Sequence, residues 1–424
     1  MQVGRGRKAV LGLVGLSLLA LAACGSGVQA AGETVTSFVT AGPPTSAPSS
    51  ASAASTKPSQ SPAAGGSAAA SSSVATATSA AGQDPVAQPD GFVPTKLKPG
   101  EKPPQFIVVS FDGVGWHEKW QHWFDVARKV PFHFTGFLSG TYMLSDETKN
   151  AYQGPGHSPG ASDINWNTAA DLPTEIADLN QAYKSGDEIG THFNGHFCAP
   201  SEPSGNAWTT ADWNAELDQF FSLVKNVKAN NPGVTMPDLA FDGSEVKGER
   251  TPCLEGHEAD LFPALINHNM AYDSSFTKRG VGWPKNSPQY KIWAMGMAEF
   301  PIHGSDHFQI TMDYNFYFSQ RNASSKGVTA AQSAADAVQV QATYQDMYNA
   351  TYNGNRAPLI LGNHFNSWNH GAYETALTNF VLATCGKPNT YCVPFRDVIA
   401  WMQAQDPAVL AKLQDTAPEE GPPT

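Results

Sequence analysis

The sequence predicts an α/β fold, one domain built on a parallel sheet that is either open or closed into a barrel. Three observations carry this reading. From Pro104 onward, short apolar runs alternate with stretches of helical periodicity, the order that a parallel sheet with crossover helices requires. The first run, Phe106-Ile107-Val108-Val109, is apolar at consecutive positions, as a strand covered on both faces must be. Polar residues capable of chemistry follow several runs, and folds of this kind place their sites at the carboxyl ends of strands.

The first strand runs into Ser110-Phe111-Asp112-Gly113. Leu172, Ile176, Leu179 and Tyr183 then recur at helical spacing, with Asp171 placed to cap the start and Gly186 to stop the end. A strand is expected at 188–193. Trp213, Leu217, Phe220, Phe221, Val224 and Val227 mark a second amphipathic helix, starting near Thr209 or Thr210 and ending before Pro232. Further strands are expected at 239–241, 298–302, 358–361 and 391–393, with helices near Leu261, Val338 and Leu377. The stretch 393–405 reads as the last strand and helix, and there is no internal repeat.

Composition divides the 424 residues. In residues 1–24, Arg5, Arg7 and Lys8 precede an apolar stretch from Ala9 to Ala20 that is too short to span a bilayer comfortably. Leu21-Ala22-Ala23-Cys24 follows and looks like the lipobox of bacterial lipoproteins, in which the Cys is acylated and becomes the new N-terminus. The expected location is extracytoplasmic, anchored through lipidated Cys24 to the outer face of a bacterial cell membrane. Residues 25–100 are rich in Ser, Ala, Thr and Pro and too poor in large apolar side chains to offset ordering entropy, so they read as a disordered tether. The folded domain is expected over residues 101–412, with a disordered tail at 413–424.

Lys and Arg number 26 against 38 Asp and Glu, a formal charge of −12, and no basic stripe of the kind that binds phosphate backbones is present. That excludes a nucleic-acid partner. Charged residues are 15% of the chain, while Gly, Asn, Ser and aromatics are plentiful, a surface suited to neutral, hydroxyl-rich ligands as much as to ions. Four cysteines remain beside Cys24, and outside the cytoplasm an even number argues for two disulfides. Cys385 and Cys392 flank a short Gly/Pro/Asn turn, so local closure favours that pair and leaves Cys198 with Cys253 by elimination. A zinc site of the same four is opposed by the lack of any C-x-x-C pair.

His192 and His196 stand just past the second expected strand and can present both imidazoles to one cation if the segment turns helically there. A carboxylate from a neighbouring strand end would complete a His/His/Asp site. His303 and His307 share the spacing and read as a loop feature near the cleft rim.

The order of these elements resembles the polysaccharide deacetylases, carbohydrate esterase family four with its NodB homology domain, and within it the chitin-deacetylase-like branch. Five segments carry the resemblance in the family's order: Ser110-Phe111-Asp112-Gly113; His192 to His196; Arg250-Thr251-Pro252; Tyr272-Asp273-Ser274-Ser275; and Leu361-Gly362-Asn363-His364. It covers most of the chain from 104 to about 405, and it implies a distorted parallel (β/α) barrel. It further implies a hydrolase that removes acetyl groups from N-acetylated or O-acetylated glycans. The metal would be divalent, usually Zn2+, with Co2+ or Mn2+ as alternatives, and His192 and His196 would ligate it. Asp112 would match the general base, Arg250 would hold that carboxylate, and His364 would protonate the leaving group with Asp273 orienting its ring. The implied partner is an acetylated glycan, and the chain is expected as a monomer.

Two features depart from the family. Gly113 stands where the family has a second acid that binds metal, so Asp112 is either the ligand, with the base lost or replaced, or the base, with another group on the metal. The damaged motif keeps a non-catalytic carbohydrate-binding protein on the same fold as the alternative. The span from Asp112 to His192 is also long, the excess falling in 150–167 with His157, Asp163 and Trp166. That insertion either shapes the groove or supplies a substitute ligand or a sugar-stacking aromatic.

Overall fold

The structure, a computed structural model, describes residues 87–422. The expectations for residues 1–24, Cys24 included, and for the tether up to residue 86 lie outside the described residues. In chain order the strands are β1 (Gln105–Asp112), β2 (Thr135–Leu138), β3 (Glu188–Thr191), β4 (Gly248–Glu249), β5 (Tyr272–Asp273), β6 (Lys278–Arg279), β7 (Lys285–Asn286), β8 (Trp293–Ala294), β9 (Ala298–Pro301), β10 (Phe308–Ile310), β11 (Leu359–His364) and β12 (Thr390–Cys392). The helices are α1 (His117–Ala127), α2 (Leu172–Ser185), α3 (Thr210–Lys225), α4 (Val227–Asn230), α5 (Glu258–Asn267), α6 (Asp313–Arg321), α7 (Ala330–Asn353), α8 (Trp368–Thr384), α9 (Phe395–Ala404) and α10 (Pro407–Gln414).

Every residue of β1 is buried, which is why its apolar run shows no alternation. The strand lies between β11 and β2 in a mostly parallel sheet of order β11-β1-β2-β3-β4-β5-β8-β7, with β12 also paired to β1 and only β7 antiparallel to its neighbour. A second sheet has the order β10-β9-β6. The fold is thus α/β, but the sheet is a curled half-barrel and does not close. Strands β4 and β5 are two residues each, too short to carry the ladder round. Thr311 joins the two sheets instead: its N–H and hydroxyl donate to the Ala298 carbonyl at 3.0 and 3.1 Å, and its carbonyl accepts from the Gly362 N–H at 3.0 Å. Expected strand 298–302 therefore belongs to the smaller sheet.

The helical signals have visible causes. Gly186 ends α2 at φ 96°, a left-handed conformation that costs glycine little, although Asp171 makes no side-chain cap bond. Thr209 and Asp212 cap α3 reciprocally, each side chain bonding the other's backbone N–H. Expected strand 239–241 does not form. Asn180 occupies its backbone instead, accepting from the Ala240 N–H at 2.6 Å and donating to the Asp238 carbonyl at 2.7 Å. The strand appears seven residues later as β4, where Gly248 lies so close to the Tyr272 ring that a Cβ would sit 1.7 Å from it.

Both ends of the domain extend past their expected limits. Phe92, expected in the tether, packs against Phe106 and Tyr391 at centroid distances of 5.8 and 5.5 Å, and the Leu97 N–H donates to Gln405 Oε1 at 2.9 Å. In the expected tail, Glu419 and Val281 exchange backbone hydrogen bonds of 2.9 and 3.0 Å. Composition did not reveal this anchoring, because it rests on one aromatic side chain, Phe92, and on a few backbone hydrogen bonds. The disulfides are Cys198–Cys253 and Cys385–Cys392, as expected. Among the described residues no helix is long and apolar enough to cross a membrane.

Candidate active site

The carboxyl ends of β1, β3 and β11 converge. Asp112 closes β1, 3% exposed, and opposes His364 in the β1–β11 register. Arg250, fully buried just after β4, donates from Nη1 to Asp112 Oδ1 at 2.7 Å. Two more of its donors are fixed as well, Nε to the Ser274 carbonyl at 3.1 Å and Nη2 to the Ser274 hydroxyl at 2.8 Å, with the Phe137 ring 4.9 Å from the guanidinium carbon. So tethered, the guanidinium neutralises Asp112 at one place and holds its direction. Gly113 follows at φ 63°, its N–H on the Phe137 carbonyl at 3.0 Å. Any side chain there would meet backbone strain.

His192 and His196 lie on the loop after β3, but no helical turn brings them together. Phe193 and His196 adopt φ of 55° and 56°, and the reversal sets the two rings 5.1 Å apart between centroids. His192 Nδ1 donates to the Arg250 carbonyl at 2.7 Å, which leaves the lone pair on Nε2. Burial pushes both imidazoles down to about 3, the charges of neighbouring His364 and, for His196, of His192 adding to it. Both rings are therefore neutral donors at physiological pH.

Insertion 150–167 braces this loop. Tyr152 donates its hydroxyl hydrogen to the Glu216 carboxylate, 2.9 and 3.0 Å from its two oxygens, and accepts from the Gly195 N–H at 3.1 Å. Glu216 also accepts from the Asn194 N–H at 3.0 Å, and burial pushes it up to about 7. The Asp163 N–H donates to the Gly195 carbonyl at 2.8 Å. His157 stacks on Phe197 at 3.5 Å between centroids, and its Nε2 lies 2.8 Å from the Pro203 carbonyl.

His364 is held by a residue that sequence reasoning missed. Asp313, the first residue of α6, bonds the His364 Nδ1–H through Oδ1 at 2.7 Å and its backbone N–H through Oδ2 at 2.8 Å. Burial opposes charging of the ring, but the Asp313 carboxylate, its hydrogen bond and Asp112 outweigh it, and the net shift is upward. Asp273, expected at this ring, lies elsewhere. It is fully buried, its Oδ1 accepts from the Ser275 N–H at 3.0 Å, and it faces Glu249. Burial pushes both carboxyls up, and the Ser275 hydroxyl beside them donates to Glu249 at 3.4 Å and accepts from the Thr251 N–H at 2.9 Å, next to Arg250. An Asp ahead of an aromatic run was the only sequence signal for Asp313. His303, expected near the cleft rim, pairs instead with Asp346 of α7 at 2.7 Å, its side chain exposed.

The donor set fits a cation in part. Two neutral imidazoles on one loop suit it, and Gly113 offers nothing. Among the described residues, the His, Cys and carboxylate donors that come within 4.8 Å of one another as a trio are His196, Cys198 and Cys253, whereas Asp112, His192 and His196 do not close to that distance.

No protein-family model and no curated protein matches the chain. Solved structures do. A protein described as a polysaccharide deacetylase from Mycobacterium smegmatis is 12% identical, over 78% of this chain and 99% of that one, at a TM-score of 0.44. The chitin deacetylase of the fungal pathogen Colletotrichum lindemuthianum is 10% identical over 76% and 92%, at 0.38. A family four carbohydrate esterase pseudoenzyme from Bacillus anthracis is 9% identical over 69% and 64%, at 0.31. The half-barrel of this chain is therefore similar to solved polysaccharide and chitin deacetylases, a pseudoenzyme among their relatives.

Proposed function

We propose that the chain is a metal-dependent hydrolase that removes acetyl groups from N- or O-acetylated glycans, tethered through Cys24 to the outer face of a bacterial membrane. The observation that carries the chemistry is the pairing of two opposed groups at one sheet end: Asp112 clasped by Arg250, and His364 clasped by Asp313, on neighbouring strands. Such a pair supplies a base and an acid to opposite sides of a carbonyl. His192 and His196 would hold the cation, which when bound polarises an acyl oxygen and lowers the pKa of water.

The residues divide the work. Asp112, anchored by Arg250, takes the proton of the attacking water, and its failure to close on both histidines favours that role over ligation. His364 keeps its Nδ1–H on Asp313 and delivers the Nε2 proton to the departing amine or alkoxide. Asp313 lowers the cost of the imidazolium while the acid waits. Replacing Asp112 with Ala abolishes activity under either role and separates the two: retained metal marks a base, lost metal a ligand.

A second reading, a carbohydrate-binding protein without activity, is favoured by the open third ligand position that Gly113 leaves. Glycan binding by the Asp112→Ala variant, with no acetate released by either protein, would replace the first reading with the second.

A further inference from the structure

Cys198 follows the His loop and Cys253 follows Arg250, so two loops of the candidate site meet at sulfur. A third donor stands with them, since His196, Cys198 and Cys253 each bring one ligand atom to within 4.8 Å of the others. The His196 nitrogen on that side is Nδ1, 3.7 Å from Cys198 Sγ. His196 and Cys198 are buried, while Cys253 is half-buried and within reach of a small thiol. Beside them Glu255 is 7% exposed; its Oε1 accepts from the Ala199 N–H at 3.0 Å, and its Oε2 has no hydrogen-bond partner.

We propose that Cys198, Cys253 and His196 form a second metal site when their disulfide is reduced, taking a divalent cation that accepts sulfur ligands, such as Zn2+. In the oxidised chain the two sulfurs bond each other and offer no thiolate. Exchange with a low-molecular-weight dithiol transfers two electrons and two protons: the dithiol becomes its own disulfide, and Cys198 and Cys253 become thiols. The cation then displaces both thiol protons to solvent. Two thiolates and one neutral imidazole leave the loaded site without net charge, which suits its burial, and a water, within the reach of Glu255, fills the fourth tetrahedral position.

The consequence for His196 rests on the function proposed above. A neutral imidazole has one lone pair, so ligation through Nδ1 puts the ring proton on Nε2 and withdraws that donor from the His192/His196 pair. The disulfide keeps His196 available to the catalytic end, and reduction in the presence of metal diverts it.

The test needs no activity, so its outcome is independent of the deacetylase reading. The full chain is reduced with dithiol, freed of it by anaerobic gel filtration, and titrated with Co2+, with far-ultraviolet circular dichroism recorded throughout. A near-ultraviolet sulfur-to-cobalt charge-transfer band that saturates at one equivalent is expected, and none in the oxidised protein. The band should persist in Cys385→Ser/Cys392→Ser, disappear in Cys198→Ser/Cys253→Ser, and need about tenfold or more Co2+ in His196→Ala. Absence of the band from the reduced chain, folded or not, overturns the proposal. So does its survival in Cys198→Ser/Cys253→Ser, or an undiminished affinity in a folded His196→Ala.

Discussion

Asp313 favours the charged form of His364, and that dependence can be read by titration. The pair raises the folded-state pKa of the ring, so its contribution to stability is fully present below the ordinary histidine value and lost as pH rises through the raised one. An acid role follows the same curve: activity that needs charged His364 declines on the alkaline side as the ring deprotonates. Asp313→Asn is expected to move both the NMR titration of His364 and the alkaline limb of the rate profile to lower pH; an unmoved His364 titration would remove Asp313 from the account. Arg250 makes a different demand. It is fully buried with its charge on Asp112, so Arg250→Met leaves a buried carboxylate without a partner and should cost about 3–5 kcal/mol in denaturant unfolding. Gly113→Asp adds a second carboxylate beside Asp112, but at φ 63° it should cost about 1–2 kcal/mol of stability, so any gain in metal affinity comes with a lower midpoint.

At the scale of elements, the His loop is held from two sides, by the insertion through Tyr152 and by the bridge from Cys198 to Cys253. The bridge spans 55 residues, for which chain entropy predicts about 4 kcal/mol, so Cys198→Ala/Cys253→Ala should unfold at correspondingly lower denaturant. An unchanged unfolding free energy would show that the loops are held without it. Elements also show where reading by pattern stops. The runs that became β1 and β11 were legible because burial on both faces leaves an unbroken apolar signature. The run at 239–241 carried a similar signature, yet the Asn180 side chain holds its backbone in place of a strand partner, and no periodicity reports a side chain 60 residues away. Asp313 escaped for a related reason: it reaches His364 from the start of a helix 51 residues earlier, through a contact made by the smaller sheet and not by local sequence.

For the whole molecule, the class of fold was legible and its closure was not. Strand-helix alternation implies a parallel sheet, but whether the sheet closes depends on strand lengths at β4 and β5 and on the placing of Thr311 against β11, which composition does not encode. The order of the five segments did place Asp112, His192, His196, Arg250 and His364 at one end of the sheet, because parallel strands deliver their carboxyl ends to the same side. Their joint chemistry is the central claim, and acetate release tests it most directly. Wild type and His364→Ala are assayed on N-acetylglucosamine oligomers, peptidoglycan and acetylated xylan, with bound zinc, cobalt and manganese measured on the same samples. The account predicts acetate from at least one glycan, with the rate lowered about 10²- to 10⁴-fold in His364→Ala at equal metal content. No acetate from any glycan at saturating metal, with glycan binding intact in both proteins, would contradict it.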